Sequence, residues 1–183
     1  MSIISIGIGS VLLSEPFLRN PLFERAVILL CHYDEDGAMG LILNKIAENP
    51  FEEEEDHPLF SFPFYTGGPV ETDSMFFVHH LSDLPESEVI KDGVCWQGRY
   101  EDLLEAVKAR EFSKENCRLL VGYAGWEKGQ LESELEREDW MVYNGSIRDI
   151  LKMSSETMWK DILAQMGPYY RMVSNFPLDP GLN

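Results

Sequence analysis

Four histidines, three cysteines and one glycine-rich run are the residues of this chain whose chemistry could carry an activity. His79 closes the apolar run Met75-Phe76-Phe77-Val78, beside the Gly67-Gly68-Pro69 turn. An imidazole there could act as a general base in a pocket shared with Asn44 or Glu127, which is a hydrolase-like reading. A hydrogen-bonded structural histidine is the plainer reading and the preferred one. Cys31 beside His32 invites a thiol–imidazole dyad or a redox sensor. Neighbours on a strand point to opposite faces, so the two cannot meet directly, and Cys31 reads better as a core thiol. None of Ser10, Ser14, Ser74 and Ser146 lies in a G-x-S-x-G setting. The histidine and cysteine spacings fit no metal motif, and Asp34-Glu35-Asp36 does not continue as a calcium loop. Neither metal nor cofactor is expected.

The run Val121-Gly122-Tyr123-Ala124-Gly125-Trp126-Glu127-Lys128-Gly129-Gln130-Leu131-Glu132 is the densest in information. A strand, a glycine-rich turn and a helix start in that order could cradle a phosphate. No G-x-x-x-x-G-K-[ST] or G-x-G-x-x-G is present, and Glu127, Glu132 and Glu134 would repel a nucleotide. The run reads as a structural turn.

These residues must be positioned by one domain covering 1–183. The chain has 183 residues, 44% hydrophobic and 26% charged, as in an ordinary globular protein. Its charge is not ordinary: 15 Lys+Arg against 32 Asp+Glu gives −17. That field disfavours nucleic acid and anionic membranes and attracts basic protein surfaces. Three unpatterned cysteines point to a reduced, cytoplasmic protein, and neither a signal peptide nor a membrane span is read.

The apolar run Ala26–Cys31 predicts a strand buried on both faces, preceded by a single helical turn at Asn20-Pro21. Asp36-Gly37 turns it into a second strand, Leu41–Leu43. Residues 48–63 form an exposed, mobile acidic loop around Glu52–Asp56, with a binding surface for a basic partner as the functional alternative. Strands are expected near 75–79, 89–96, 118–123 and 140–143, and helices over 100–110, 130–137 and 155–166. Ser146-Ile147-Arg148-Asp149 has the pattern of another helix start. Gly167-Pro168 stops the last helix, leaving an extended tail over 168–183. Strands with short hairpin turns, then mixed helices, make the class α+β, single-domain.

Three blocks resemble the YqgE/AlgH family of bacterial proteins. They are Gly9–Pro16 through Asn20–Val27 to Gly37–Asn44; Gly67–Val70 with Phe77-Val78-His79; and Gly122–Glu134 reaching Trp140. Trp159 and Gly167 match the closing helix. The resemblance implies a mixed, mostly antiparallel sheet curled into a pseudo-barrel with helices packed outside. It brings an association with transcriptional regulation of alginate production, but no reaction, cofactor or catalytic residue. Where the family commonly reads Glu-His before its Gly-Ala-x-Gly turn, this chain has His32-Tyr33, which weighs against catalysis by that histidine.

The expectation is therefore a regulatory or protein-interaction module contacting an unknown protein or small molecule, without direct DNA binding. No helix-turn-helix signature appears. The candidate surface is Asn44, Gly67, Gly68, Pro69, His79, Tyr123, Trp126, Glu127 and Gln130, presented by the turns at Gly37–Gly40, Gly67–Pro69 and Gly125-Trp126.

Overall fold

The computed structural model describes residues 5–177, so Met1–Ile4 and the last part of the expected tail lie outside the described residues. Three strands open the chain: β1 (Val11–Ser14), β2 (Val27–Asp34) and β3 (Gly37–Ile42), each antiparallel to the next. Alternate residues point to opposite faces. Val11, Leu13, Val27, Leu29 and Cys31 thus enter one core, and Leu12, Ile28 and Leu30 enter another on the far side. Burial on both faces explains why Ala26–Cys31 is continuously apolar rather than alternating. The single turn after Asn20 forms as expected, with Asn20 Oδ1 accepting from the Leu22 amide at 3.1 Å.

β4 (Ile46–Ala47) and β5 (Phe64–Thr66) form a short antiparallel pair. β6 (Val70–His79), β7 (Glu88–Lys91), β8 (Val94–Trp96), β9 (Cys117–Glu127) and β10 (Trp140–Tyr143) complete the sheet. The order is β10-β1-β2-β3-β9-β6-β8-β7, with β4–β5 attached to β9. The β5–β9 pair is parallel and the other pairs are antiparallel, so the α+β class with a mixed, mostly antiparallel sheet holds. The barrel-like curl does not extend to closure: β10 and β7 end the path without pairing with each other.

α1 (Tyr100–Lys108) covers a third core through Leu103 and Ala106, against Phe64, Phe77 and Leu119. α2 (Gln130–Glu136) buries Leu131. A short 3₁₀ turn, Ile150–Lys152, stands where the Ser146 motif predicts a helix start. α3 (Met158–Gln165) packs Met158, Trp159, Ile162 and Leu163 into the first core.

Three expectations need correction. The tail beyond Gly167 is not extended at its start: α4 (Pro168–Val173) forms, with Val173 buried. Gly167, at φ 124°, turns the chain, and Pro168 occupies a first helical position that needs no amide. The same pair that stops α3 starts α4. The acidic loop carries Glu52–Asp56 exposed, but Leu59 and Phe62 are buried, and Asn49 Nδ2 donates to the Phe60 and Phe62 carbonyls at 2.8 and 3.1 Å. Finally, Gly37–Gly40 and Gly125-Trp126 are not turns. They are paired strand segments, Gly37 opposite Glu127 and Met39 opposite Gly125.

The glycines serve a crossing of backbones. The Gly67 amide donates to the Val121 carbonyl at 2.8 Å, and Gly67 in turn accepts from the Ile42 amide at 2.9 Å. A Cβ on Gly68 would lie 2.0 Å from the Tyr123 carbonyl carbon, and one on Gly122 (φ 71°) would lie 2.4 Å from the Gly68 carbonyl oxygen. Side chains are excluded here by close main-chain approach.

Candidate functional site

The crossing supports a pair of adjoining clefts. One, of about 350 Å³, lies between Phe23, Pro69, Trp126, Glu134 and Trp140. The other, of about 700 Å³, is lined by Asp36, Met39, Val70, Tyr123 and Glu127. They share Gly125, Trp126 and Gln130. Neither wall contains a lysine or arginine, and His32 is the sole imidazole.

The floor is fixed by Glu134. One carboxylate oxygen accepts from both indole N–H groups, Trp126 at 2.8 Å and Trp140 at 2.7 Å. The other accepts from Gln130 Nε2 at 2.8 Å, and Gln130 Oε1 accepts the Glu127 amide at 3.0 Å. The two indoles meet edge to face at 6.1 Å, and Phe23 meets Trp140 at 5.8 Å in the same way. β9 supplies Trp126, β10 supplies Trp140, and α2 supplies the carboxylate that locks them. Gln130 and Glu134 reach each other because they are one helical turn apart.

The other wall is braced by Tyr33, whose hydroxyl donates to Glu132 at 2.6 Å. That bond raises the phenol's pKa above its ordinary value. Tyr33, in the usual histidine position of the resemblance, thus ties β2 to α2. The neighbouring His32 points outward and pairs with Asp34 at 2.8 Å. The Asp36 amide is the main influence holding the Asp34 carboxyl below its usual range.

Of the residues expected to share one surface, Pro69, Tyr123, Trp126, Glu127 and Gln130 line the clefts. Gly67 and Gly68 lie beneath them at the crossing. Asn44 and His79 are elsewhere. Asn44 spends both ends of its amide on the main chain, accepting from the Val27 amide and donating to the Arg25 carbonyl, each at 2.9 Å.

His79 is fully buried between Phe77 and Phe112. Its Nδ1 accepts from the Leu81 amide at 3.1 Å, which leaves Nε2 to donate to the Gln97 carbonyl at 2.8 Å. Burial lowers its pKa, favouring this neutral ring. No nitrogen is free for a substrate. His79 also pairs with Cys117 at the start of β9, whereas Glu127 stands at its end, about 33 Å away at strand rise. The His79-centred site therefore has neither an opening nor a partner.

Cys31, Cys95 and Cys117 are buried, unpaired thiols. Burial pushes the pKa of each upward, away from the reactive thiolate. Among the described residues, no group of three or more His, Cys, Asp or Glu could hold a metal ion, and no helix is long and apolar enough to cross a membrane.

Two features escape a reading of residue types. The Glu134–Trp140 bond joins α2 to β10, and the only local signal is the Gln130–Glu134 spacing. Arg118 is buried in β9, donating to the carbonyls of Leu43 and Met153 and lying 4.7 Å over the Tyr65 ring. A cation within the apolar run Cys117-Arg118-Leu119-Leu120 is the signal that marks it.

Comparison with known proteins places these elements in context. A family model described as AlgH-like matches residues 11–171. A UPF0301 protein of Cytophaga hutchinsonii is 38% identical over 178 residues, covering 96% of this chain and 98% of its own. One of Bacteroides thetaiotaomicron is 35% identical over 178 residues, with 96% and 90% covered. Among solved structures, a protein of Corynebacterium diphtheriae superposes with a TM-score of 0.78 at 21% identity, over 96% of this chain and 95% of that one. The AlgH protein of Pseudomonas aeruginosa gives 0.72 at 24% identity, over 97% of each. The two structures share the fold.

Proposed function

This chain belongs to the AlgH-like family, and from that premise we propose that it is a non-catalytic regulatory module that acts by holding a partner in the Trp126 clefts. The observation that carries the reading is that Tyr123, Trp126, Glu127 and Gln130 of one run meet Phe23, Met39, Pro69 and Trp140 from remote segments around two clefts with a rigid floor. A site set on packed strands and locked by hydrogen bonds is pre-organised for binding. The committed state of His79 and the buried thiols supports a binding role over a catalytic or redox one. The charge of −17 favours a protein or small-molecule partner over nucleic acid, and the unpaired thiols suit the cytoplasm.

Gly125 offers the test. It is exposed, lies on both clefts, and a Cβ there would meet side chains alone, the edge of the Tyr123 ring at 3.3 Å and Val70 at 4.0 Å. Gly125→Gln should fill the clefts and leave the fold intact. Partners and small molecules captured from native lysate by the wild-type protein should be missing from the variant by mass spectrometry. An unchanged set would sink the reading.

A further inference from the structure

We propose that the occupant of these clefts is a basic segment of another protein, with a lysine or arginine side chain seated against Trp126 and Tyr123. The inference rests on the reading of the clefts as a binding site and adds the chemistry of what enters them.

Three observations point to a cation. The first is the composition of the walls, where Asp36, Glu127 and Glu134 stand among aromatic rings with no lysine or arginine between them. Aromatic faces and carboxylates together are the surroundings in which an ammonium or guanidinium group is stabilised. The second is the state of Glu134. Its oxygens accept from three neutral N–H donors, from Trp126, Trp140 and Gln130, and its charge has no counter-ion among the described residues. Asp139, also on the wall, differs in being paired with Arg137 at 2.8 Å.

The third is that the chain turns its own cations away from the clefts. Arg25, Lys45, Lys91 and Arg118 turn to main-chain carbonyls, of Phe176, Glu24, Asn144 with Gly145, and Leu43 with Met153. Arg99, Lys108, Arg137 and Lys152 pair with Asp102, Glu105, Asp139 and Asp149, and among the described residues no cation pairs with Asp36, Glu127 or Glu134. A basic segment approaching the protein is drawn by the net field and finds in the clefts unpaired carboxylates beside apolar surface.

A segment of protein suits the shape better than a free cation. Clefts of about 350 and 700 Å³ adjoin across Gly125, more space than one side chain fills. Two side chains of an extended stretch could occupy them together.

The test uses the whole protein and a fluorescent glycine–serine peptide carrying paired arginines, followed by anisotropy. The wild-type protein should bind it saturably, about tenfold more weakly when salt is raised from 0.05 to about 0.5 M. Gly125→Gln should abolish binding, and Asp36→Asn with Glu127→Gln should weaken it severalfold. The same peptide with citrulline for arginine should not bind. Equal binding of the arginine peptide to wild type and Gly125→Gln would overturn the proposal, since attraction would then be diffuse. If citrulline and arginine peptides bind alike, and Gly125→Gln abolishes both, the cation is wrong while the cleft stands. Arginine amide binding as tightly as the peptide would overturn the protein-segment occupant. Absence of any peptide binding would also overturn the proposal, and the lysate capture would still decide the broader reading independently.

Discussion

His79 and Trp126 sit in contrasting settings on one sheet. The His79 niche is dry and saturated: both ring nitrogens are bonded, two phenylalanine rings flank it, and nothing opens onto solvent. At the Trp126 clefts the indole N–H is also satisfied, but the carboxylate that satisfies it has no cation among the described residues, and the surrounding surface is concave and open. Residue type makes the histidine a candidate for chemistry, although the plainer structural reading is the preferred one. What separates the two regions is spare capacity: a polar group already fully bonded in the folded chain has nothing left to offer a ligand.

That contrast can be broken by substitution. The largest effect is expected beneath the clefts, at Gly68→Ala, because a Cβ would overlap the Tyr123 main chain. A loss of about 3 kcal/mol or more, or failure to fold, should appear in denaturant unfolding. His79→Ala should come next, costing about 2–4 kcal/mol by leaving a cavity and two unpaired main-chain groups. Partner binding at the clefts should persist in it. If His79→Ala kept its stability and lost binding, the contrast between the regions would collapse.

The niche also predicts a pH response. Burial holds the folded-state pKa of His79 below its ordinary 6.5, so below that pH the unfolded chain takes up the proton first. Stability should be full above about pH 6.5 and fall as pH drops, more gently in His79→Gln than in wild type. Coincident slopes would mean that His79 is not desolvated as described. Glu134→Ala should cost about 1–3 kcal/mol by stranding two indole N–H groups, and should shift tryptophan emission. The smallest stability effect, under about 1 kcal/mol, belongs to Gly125→Gln, an exposed site. It should nevertheless have the greatest effect on binding.

Local pattern makes β2, the reversal into β3, α1 and α2 legible, since a doubly buried apolar run, an Asp-Gly turn and an amphipathic stripe each carry their cause within a few residues. β3 and β9 look shorter from sequence than they are, because Gly37, Gly40, Gly122 and Gly125 resemble turn residues. The reason for the last two lies in Gly67-Gly68 and in β3, both remote in sequence. α4 was missed because Gly167-Pro168 reads locally as a stop, and only the chain beyond it shows a new start. Within the site, Tyr123, Trp126, Glu127 and Gln130 stood out as one run. The Glu134 clamp did not, since its two indoles come from different strands.

The glycine crossing bears on how the protein is made. β9 is the common neighbour of β3, β5 and β6, yet it emerges from the ribosome after all three. Until residue 127 is synthesised, β3 has an unpaired edge, the kind of surface on which nascent chains associate wrongly. The Glu52–Asp56 block lies in the stretch that waits, and its like charges repel neighbouring copies during that interval.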